Sequence, residues 1–324
     1  MIEKLRKYFS AIRVKQHCGQ HADKVAAFWG SRAAEVERTD CHWTDSPIIQ
    51  KHYIHPNISG CQDQNWFAWV GETFFTEPVE RALSLGCGDG CLERHGAFIN
   101  VFQRCDAFDI SPGAIDIAQK KALESGISER VHYEVKDINN VELMEGSYDA
   151  IFCAMSLHHI ENLEHVLWQV DGALKADGLF IMNEYVGPNR FQWTDRQLNI
   201  ANDIFSLLPK KYRYDPTTKS VKKRIERVSV DHMLTTDPSE AVRSADILPL
   251  VEEQFDIVRR VDYGGTLVNL VLDNIIVNFD EQRSEDMALL KFIFLAEKLL
   301  IAEKIIDNNF SVVVAHKKNS KGRV

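Results

Sequence analysis

Three places along the 324-residue chain carry residue types and spacings that could do chemistry. The first is Gly86-Cys87-Gly88-Asp89-Gly90, directly after the apolar run Arg81–Leu85. A glycine turn between a strand and a helix presents backbone N–H groups to a ligand at a helix N-terminus, where a Cβ would block close approach. Asp109 follows Gly90 by 19 residues and ends the next apolar run. In nucleotide-binding α/β folds an acid there accepts hydrogen bonds from ribose hydroxyls. A dinucleotide fingerprint needs its third glycine at position 91, where this chain has Cys91, and no Gly-Lys-Ser/Thr clamp occurs. The expected ligand therefore has a ribose but no bound pyrophosphate.

The second place is His158-His159, a few residues past the apolar run Tyr148–Cys153. Imidazole titrates near neutral pH, so these are the candidate general bases. The third is Glu184-Tyr185, just after the run Leu179–Asn183, placed to bind a substrate or to orient a histidine. In open α/β sheets the ligand crevice lies beyond the carboxyl ends of the strands, so all four residues should face it. Gly187-Pro188 then breaks the chain, and Arg190 and Trp193 follow as candidate substrate contacts. Residues 210–227 carry eight Lys or Arg against Asp215 and Glu226. Such a run reads as a solvated loop or as a contact for a phosphate-bearing substrate. His17, Cys18 and His21, with Cys41, His42, His52, His55 and Cys61 beyond, lack a zinc spacing, and no metal site is expected.

The elements that must position these residues are legible in the middle of the chain. Short apolar runs at Arg81–Leu85, Ala107–Ile110, Val131–Val135, Tyr148–Cys153 and Leu179–Asn183 alternate with helical patterns. A helix is expected from Cys91 to Phe102. Another starts at Ser111-Pro112, a cap followed by a first-turn proline, with Ile115, Ala118 and Ala122 on one face. Leu163, Val166, Leu167, Val170 and Leu174 form a further stripe. Compact apolar strands alternating with helices predict parallel strands covered on both faces, a doubly wound, Rossmann-like α/β sheet. Downstream, Leu198, Ala201 and Phe205 mark a lid-like helix. Asp237-Pro238-Ser239-Glu240 reads as the capped start of a helix running to Phe255. Phe255–Val261 and Phe310–Ala315 are the last strand candidates, with helices Leu267–Val277 and Met287–Ile306 between them.

This divides the chain into an N-terminal helical cap (1–76), a nucleotide-binding core (77–186), a lid-like insertion (187–236) and a segment completing a seven-stranded sheet (237–324). In the cap, Phe28, Trp29, Trp66 and Trp69 should pack over the crevice, and Ile2, Leu5, Phe9 and Ile12 lie along one face of a packed terminal helix. With 38 Lys and Arg against 47 Asp and Glu, the net charge of −9 disfavours general nucleic-acid binding. No apolar run reaches the roughly 18 residues of a membrane span. Seven scattered cysteines (18, 41, 61, 87, 91, 105, 153) read as reduced thiols, and a cytoplasmic location is expected.

ALSLGCGDG (82–90), FDIS (108–111), VKDIN (135–139), YDAIFCAMSLHHI (148–160) and LKADGLFIMNEY (174–185) together resemble, in order and spacing, the class I S-adenosylmethionine-dependent methyltransferases. The resemblance covers residues 80–185. It implies that Gly86, Cys87, Gly88, Asp89 and Gly90 pass beneath the methionine part of S-adenosyl-L-methionine. It implies further that Asp109, with Ile110, holds the ribose, that Asp137 and Ile138 cap the adenine, and that Cys153 and Ala154 line the methionine side. The family often has an acid two residues before the first glycine, near the cofactor's ammonium. This chain has Ser84, for which Asp89 could compensate. The segment from Glu184 to Trp193 resembles one in bacterial methyltransferases of polysaccharide or secondary-metabolite assembly. The expected activity is methyl transfer to a small-molecule or glycan-precursor acceptor, with oxygen as the favoured atom. The alternatives are a nucleotide-binding oxidoreductase, disfavoured by Cys91, and a degenerate binding or scaffold subunit, hinted at by Ser84.

Overall fold

The computed structural model describes residues 22–33 and 42–318. The expectations for Ile2, Leu5, Phe9, Ile12, His17, Cys18, His21 and Cys41 fall outside them. Seven strands form the main sheet: β1 (Val79–Leu85), β2 (Phe102–Asp109), β3 (Val131–Val135), β4 (Tyr148–Ala154), β5 (Leu174–Tyr185), β6 (Phe255–Gly264) and β7 (Phe310–Lys317). Their order is β3-β2-β1-β4-β5-β7-β6. The first five are parallel, and β7 runs antiparallel to both neighbours. The Rossmann-like α/β sheet expected from the sequence is the fold found.

The strands read as unbroken apolar runs because both faces are covered. Ala82, Phe152 and Ile181 pack into one core, whereas Leu83, Leu85, Ile151, Phe180 and Met182 pack into the other. Successive side chains point to opposite faces, so each strand serves both cores. The helices used below are α1 (22–33), α2 (Trp66–Phe74), α3 (Cys91–Phe98), α4 (Pro112–Glu124), α5 (Leu163–Ala173), α6 (Asp195–Leu207), α7 (Ser244–Gln254), α8 (Leu267–Leu272) and α9 (Ser284–Ala302). Leu198, Ala201 and Phe205 are buried along α6, which opens with a capping box between Thr194 and Gln197. In α9, the fully buried Glu297 carboxylate accepts the N–H groups of Gly265 at 2.9 Å, Val268 at 2.8 Å and Leu267, and so caps α8. Among the described residues, no helix is long and apolar enough to cross a membrane.

Several element boundaries differ from expectation. Helix α3 stops at Phe98, because Asn100 turns left-handed at φ 60° and β2 starts at Phe102. Helix α8 stops at Leu272, just before Asn274 at φ 62°. The helix expected from Asp237 begins only at Ser244. Asp237 Oδ1 instead accepts the Ser239 N–H at 2.9 Å and the Ser239 hydroxyl at 2.7 Å, closing a local turn.

Candidate active site

The sheet order reverses between β1 and β4, and the carboxyl ends of these strands open onto a crevice of about 1330 Å³. Pockets for a single drug-sized ligand measure about 300–1,000 Å³, so this crevice has room for more than one small molecule. Its floor is the glycine turn. Gly86, Gly88 and Gly90 have φ of 79°, 53° and 77°. A Cβ at Gly86 would stand 2.3 Å from the Ser156 Cβ, and one at Gly90 would stand 2.5 Å from the Tyr133 hydroxyl. The turn is tied to β2: Gly86 and Cys87 donate to the Phe108 carbonyl at 2.8 and 3.0 Å. Asp109 Oδ2 accepts from Gly88 N and Oδ1 from Ser111 N, both at 2.9 Å. A carboxylate has about four acceptor sites, so capacity is left for a ligand. Burial raises the Asp109 pKa, opposed by these backbone donors.

Asp137 Oδ1 accepts the Asn139 N–H at 3.0 Å, and Asn139 in turn accepts the N–H groups of Glu161 and Asn162 at 2.9 and 3.0 Å. This stitches the loop after β3 to the loop after β4 on one side of the crevice. Ser84, Asp109, Ile110, Asp137, Ile138 and Ala154 all line the crevice. Asp89 lines it too, but is engaged by Lys121 Nζ at 2.5 Å and approached by Arg94 at 3.8 Å. Burial pushes its pKa up, yet the Lys121 hydrogen bond and charge bring it net below the usual value.

A second acid was not anticipated. Glu93, on α3, lines the crevice at 1% exposure. Among the described residues neither of its carboxylate oxygens makes a hydrogen bond of good geometry, and the Ser84 hydroxyl stands near it. Burial pushes its pKa up to about 7, against an opposing pull from the Ser84 hydroxyl. A signal for it existed: Glu93 shares the buried stripe of α3 with Gly96 and Ala97. An acid in an apolar helix stripe is costly unless something pairs with it.

Beyond β4 the two histidines diverge. His158 is 4% exposed, and its Nδ1 donates to Glu184 Oε2 at 2.7 Å. Glu184, fully buried, also accepts Ser156 N and Leu157 N at 2.6 and 2.7 Å. Burial lowers the His158 pKa, but the Glu184 hydrogen bond and charge carry it net above the usual imidazole value. His159 lines the crevice, with Trp29 of α1 edge-on at 5.0 Å between ring centroids. Its Nδ1 donates to the Ser239 hydroxyl at 3.0 Å. Burial, with His158 alongside, depresses its pKa to about 3. A base of that pKa is poorly matched to neutral pH.

Residues 83–182 match the family described as a methyltransferase domain. An uncharacterized protein of Synechococcus sp. is 30% identical over 121 residues, 37% of this chain and 29% of its own length. The demethylmenaquinone methyltransferase of Bacteroides fragilis is 25% identical over 134 residues, 37% of this chain and 55% of its own. The chain thus spans between about a third and about half of these relatives. A geranyl diphosphate methyltransferase, solved with geranyl diphosphate and sinefungin, superposes with a TM-score of 0.53 at 11% identity, covering 91% of this chain and 99% of that one. Residues 83–182 are a methyltransferase domain.

Several residues singled out in the sequence stand away from the crevice of this methyltransferase domain. Cys153 is wholly buried in the core beneath it, because the β4 side chain that reaches the crevice is the next one, Ala154. His158 and Glu184 stand one layer behind His159 and do not border the open space. Tyr185 is buried, with its hydroxyl donating to the Pro188 carbonyl at 3.0 Å. Trp193 stacks on Phe191 at 5.5 Å. Arg190 is turned inward: Nη1 donates to the carbonyls of Pro238 at 2.6 Å and Glu240 at 3.0 Å. It holds the 238–240 loop against the domain. None of the basic residues of 210–227 lines the crevice. Arg227 pairs with Asp195 at 2.7 Å, Lys222 donates to the Asp273 carbonyl at 3.2 Å, and Arg213 lies 5.8 Å from the Phe205 ring centroid.

Proposed function

We propose that the chain is an S-adenosylmethionine-dependent methyltransferase acting on a small, hydroxyl-bearing acceptor of the glycan-precursor type, at oxygen. The observation that carries this reading is the pairing of two acids in one crevice. In this reading Asp109 accepts from two ribose hydroxyls, and the buried Glu93 carboxylate, with the Ser84 hydroxyl beside it, accepts from a cation. Adenosylmethionine has both a ribose and an ammonium. The floor between the acids is a turn that a Cβ would fill at Gly86 and Gly90. We assign the ammonium contact to Glu93, in place of the acid that Ser84 lacks, because Asp89 is already neutralised by Lys121 and Arg94.

When bound, S-adenosylmethionine supplies a sulfonium-borne methyl carbon open to in-line displacement by an acceptor lone pair. The protein's part is to orient two ligands and exclude water, which can supply about 7–11 kcal/mol of the barrier. Asp109 and Asp137 fix one ligand through its ribose and base. Trp29 and His159 border the space left for the acceptor. His159, neutral with Nδ1–H held by Ser239, presents its Nε2 lone pair as an acceptor for a substrate hydroxyl. We assign His158, Glu184 and Tyr185 to positioning: Glu184 fixes the loop 156–158, and that loop carries His159. The ubiquinone biosynthesis O-methyltransferase of Xanthomonas axonopodis, 28% identical over 104 residues, lends support to an oxygen acceptor.

The test is calorimetric titration of the purified chain with S-adenosylhomocysteine and, separately, NADH. The proposal expects one saturable site for the first and none for the second. Saturable NADH binding without S-adenosylhomocysteine binding would replace it with an oxidoreductase.

A further inference from the structure

We propose that His158, His159 and Glu240 form a site for a divalent transition-metal ion of the zinc class in the wall of the crevice. A ring nitrogen of each histidine and a carboxylate oxygen of Glu240 lie within 4.8 Å of one another. His158 Nε2 is 3.5 Å from Glu240 Oε1. That is longer than a hydrogen bond. It is close to the roughly 3.3 Å between two ligands that each stand about 2.0–2.1 Å from a tetrahedral ion.

The hydrogen bonds around the cluster orient both rings as ligands. Glu184 takes the Nδ1 proton of His158 at 2.7 Å. Ser239 takes that of His159 at 3.0 Å and passes its own proton to Asp237 Oδ1 at 2.7 Å. Both imidazoles thereby keep their lone pair on Nε2. Metal-bound histidines are held this way, with the other ring nitrogen donating to a carboxylate or a comparable acceptor.

Charge points the same way. Glu184, Asp237 and Glu240 bring three carboxylates to the cluster, and among the described residues the buried Asp237 Oδ2 has no hydrogen-bond partner. The guanidinium of Arg190 beside them is committed to the carbonyls of residues 238 and 240. Three carboxylates against this guanidinium leave an excess of negative charge, which a divalent cation displacing a proton from the cluster would balance. Two nitrogens and one oxygen suit zinc-class ions, whereas magnesium prefers oxygen ligands throughout.

Three protein ligands leave a coordination position for a water or an acceptor oxygen. His159 borders the crevice, so that position lies next to the proposed acceptor space. A hydroxyl bound there would lose its proton nearer neutrality, the ion taking the place of the contact that the metal-free His159 Nε2 would make with it. This consequence rests on the proposed methyl transfer; the site itself does not.

The experiment uses the full chain, stripped with a chelator and titrated by calorimetry with Zn²⁺ alone and Mg²⁺ alone. S-adenosylhomocysteine binding and the melting temperature are measured on the same samples. The expectation is one Zn²⁺ per chain and no comparable Mg²⁺ binding, with affinity at least about tenfold weaker in each of Glu240→Gln and His159→Asn. Glu240 has a side chain one-quarter exposed, so its variant should fold. A folded chain that binds S-adenosylhomocysteine but no Zn²⁺ would overturn the site. It would leave the cluster as an ion pair between protonated His158 and its two glutamates. Stoichiometric Zn²⁺ unchanged in both variants would also overturn it, placing the ion elsewhere, such as on His17, Cys18 and His21.

Discussion

Replacing Glu93 by glutamine should make the empty protein more stable and the ligand bind less tightly. The carboxyl is raised from 4.5 to about 7 by burial. At about 1.4 kcal/mol per pH unit, holding it ionised costs the folded state on the order of 3 kcal/mol. Between pH 4.5 and 7 the unfolded chain has lost this proton while the folded chain keeps it, so stability falls as pH rises through that window. Glutamine removes the penalty. Glu93→Gln should match wild type near pH 4.5 and exceed it at pH 8 by up to about 3 kcal/mol in denaturant melts. A ligand ammonium against the carboxylate is a charged hydrogen bond of about 1.5–3 kcal/mol. S-adenosylhomocysteine should therefore bind the variant roughly ten- to 150-fold more weakly at pH 8, by calorimetry. Methylthioadenosine, which lacks the amino-acid end, should bind both proteins alike. Wild-type affinity should climb with pH up to about 7 and then level, because binding requires the ionised acid, and the variant should show no such climb. Equal S-adenosylhomocysteine affinity in the two proteins, or an equal loss for methylthioadenosine, would refute the ammonium assignment.

Other outcomes follow from the same geometry. Glu184→Gln keeps an amide oxygen for the Ser156 and Leu157 N–H groups but removes the charge and sets an NH2 donor against the Nδ1–H of buried His158, so it should cost about 3–5 kcal/mol in a denaturation melt. The His158 contribution to stability, from a raised pKa, is present below pH 6.5 and lost as pH rises through the folded value. Stability of wild type minus Glu184→Gln should therefore shrink toward high pH, and a difference independent of pH would count against a charged pair. Arg190→Ala frees the carbonyls of residues 238 and 240 and should speed amide exchange in 237–243; unchanged exchange there would separate Arg190 from the loop. Helix α1, which sets Trp29 against His159, should gain exchange protection when S-adenosylhomocysteine and an acceptor bind; equal protection with and without ligands would make it a fixed wall.

The strands were legible because a sheet covered on both faces writes itself as unbroken apolar runs, and the glycine turn and Asp109 because they follow those runs directly in the chain. The start of β5 was not, since Leu174 reads as the last member of the helical stripe from Leu163 although it already pairs with Tyr148. Asp237-Pro238-Ser239-Glu240 misled for a chemical reason: an aspartate that can cap a helix can equally cap a tight turn, and here it does the latter. Arg190 was read as a ligand contact because sequence cannot show that backbone carbonyls some 50 residues later would saturate it. The joining of His158 and His159 to Glu240 is likewise invisible locally, with 80 residues of insertion and sheet between them. Glu93 was readable, as an acid in a buried stripe, but was passed over in favour of the nearer Asp89.

Asp109→Ala is the most direct check on what the crevice holds. Two hydrogen bonds to a ribose, each worth about 1.5–3 kcal/mol, would be lost. Calorimetric titration with S-adenosylhomocysteine should show wild type saturating one site and the variant binding at least about tenfold more weakly, with circular dichroism and melting near wild type. Unchanged affinity in a well-folded Asp109→Ala protein, or no binding by wild type, would contradict the assignment of this crevice to S-adenosylmethionine.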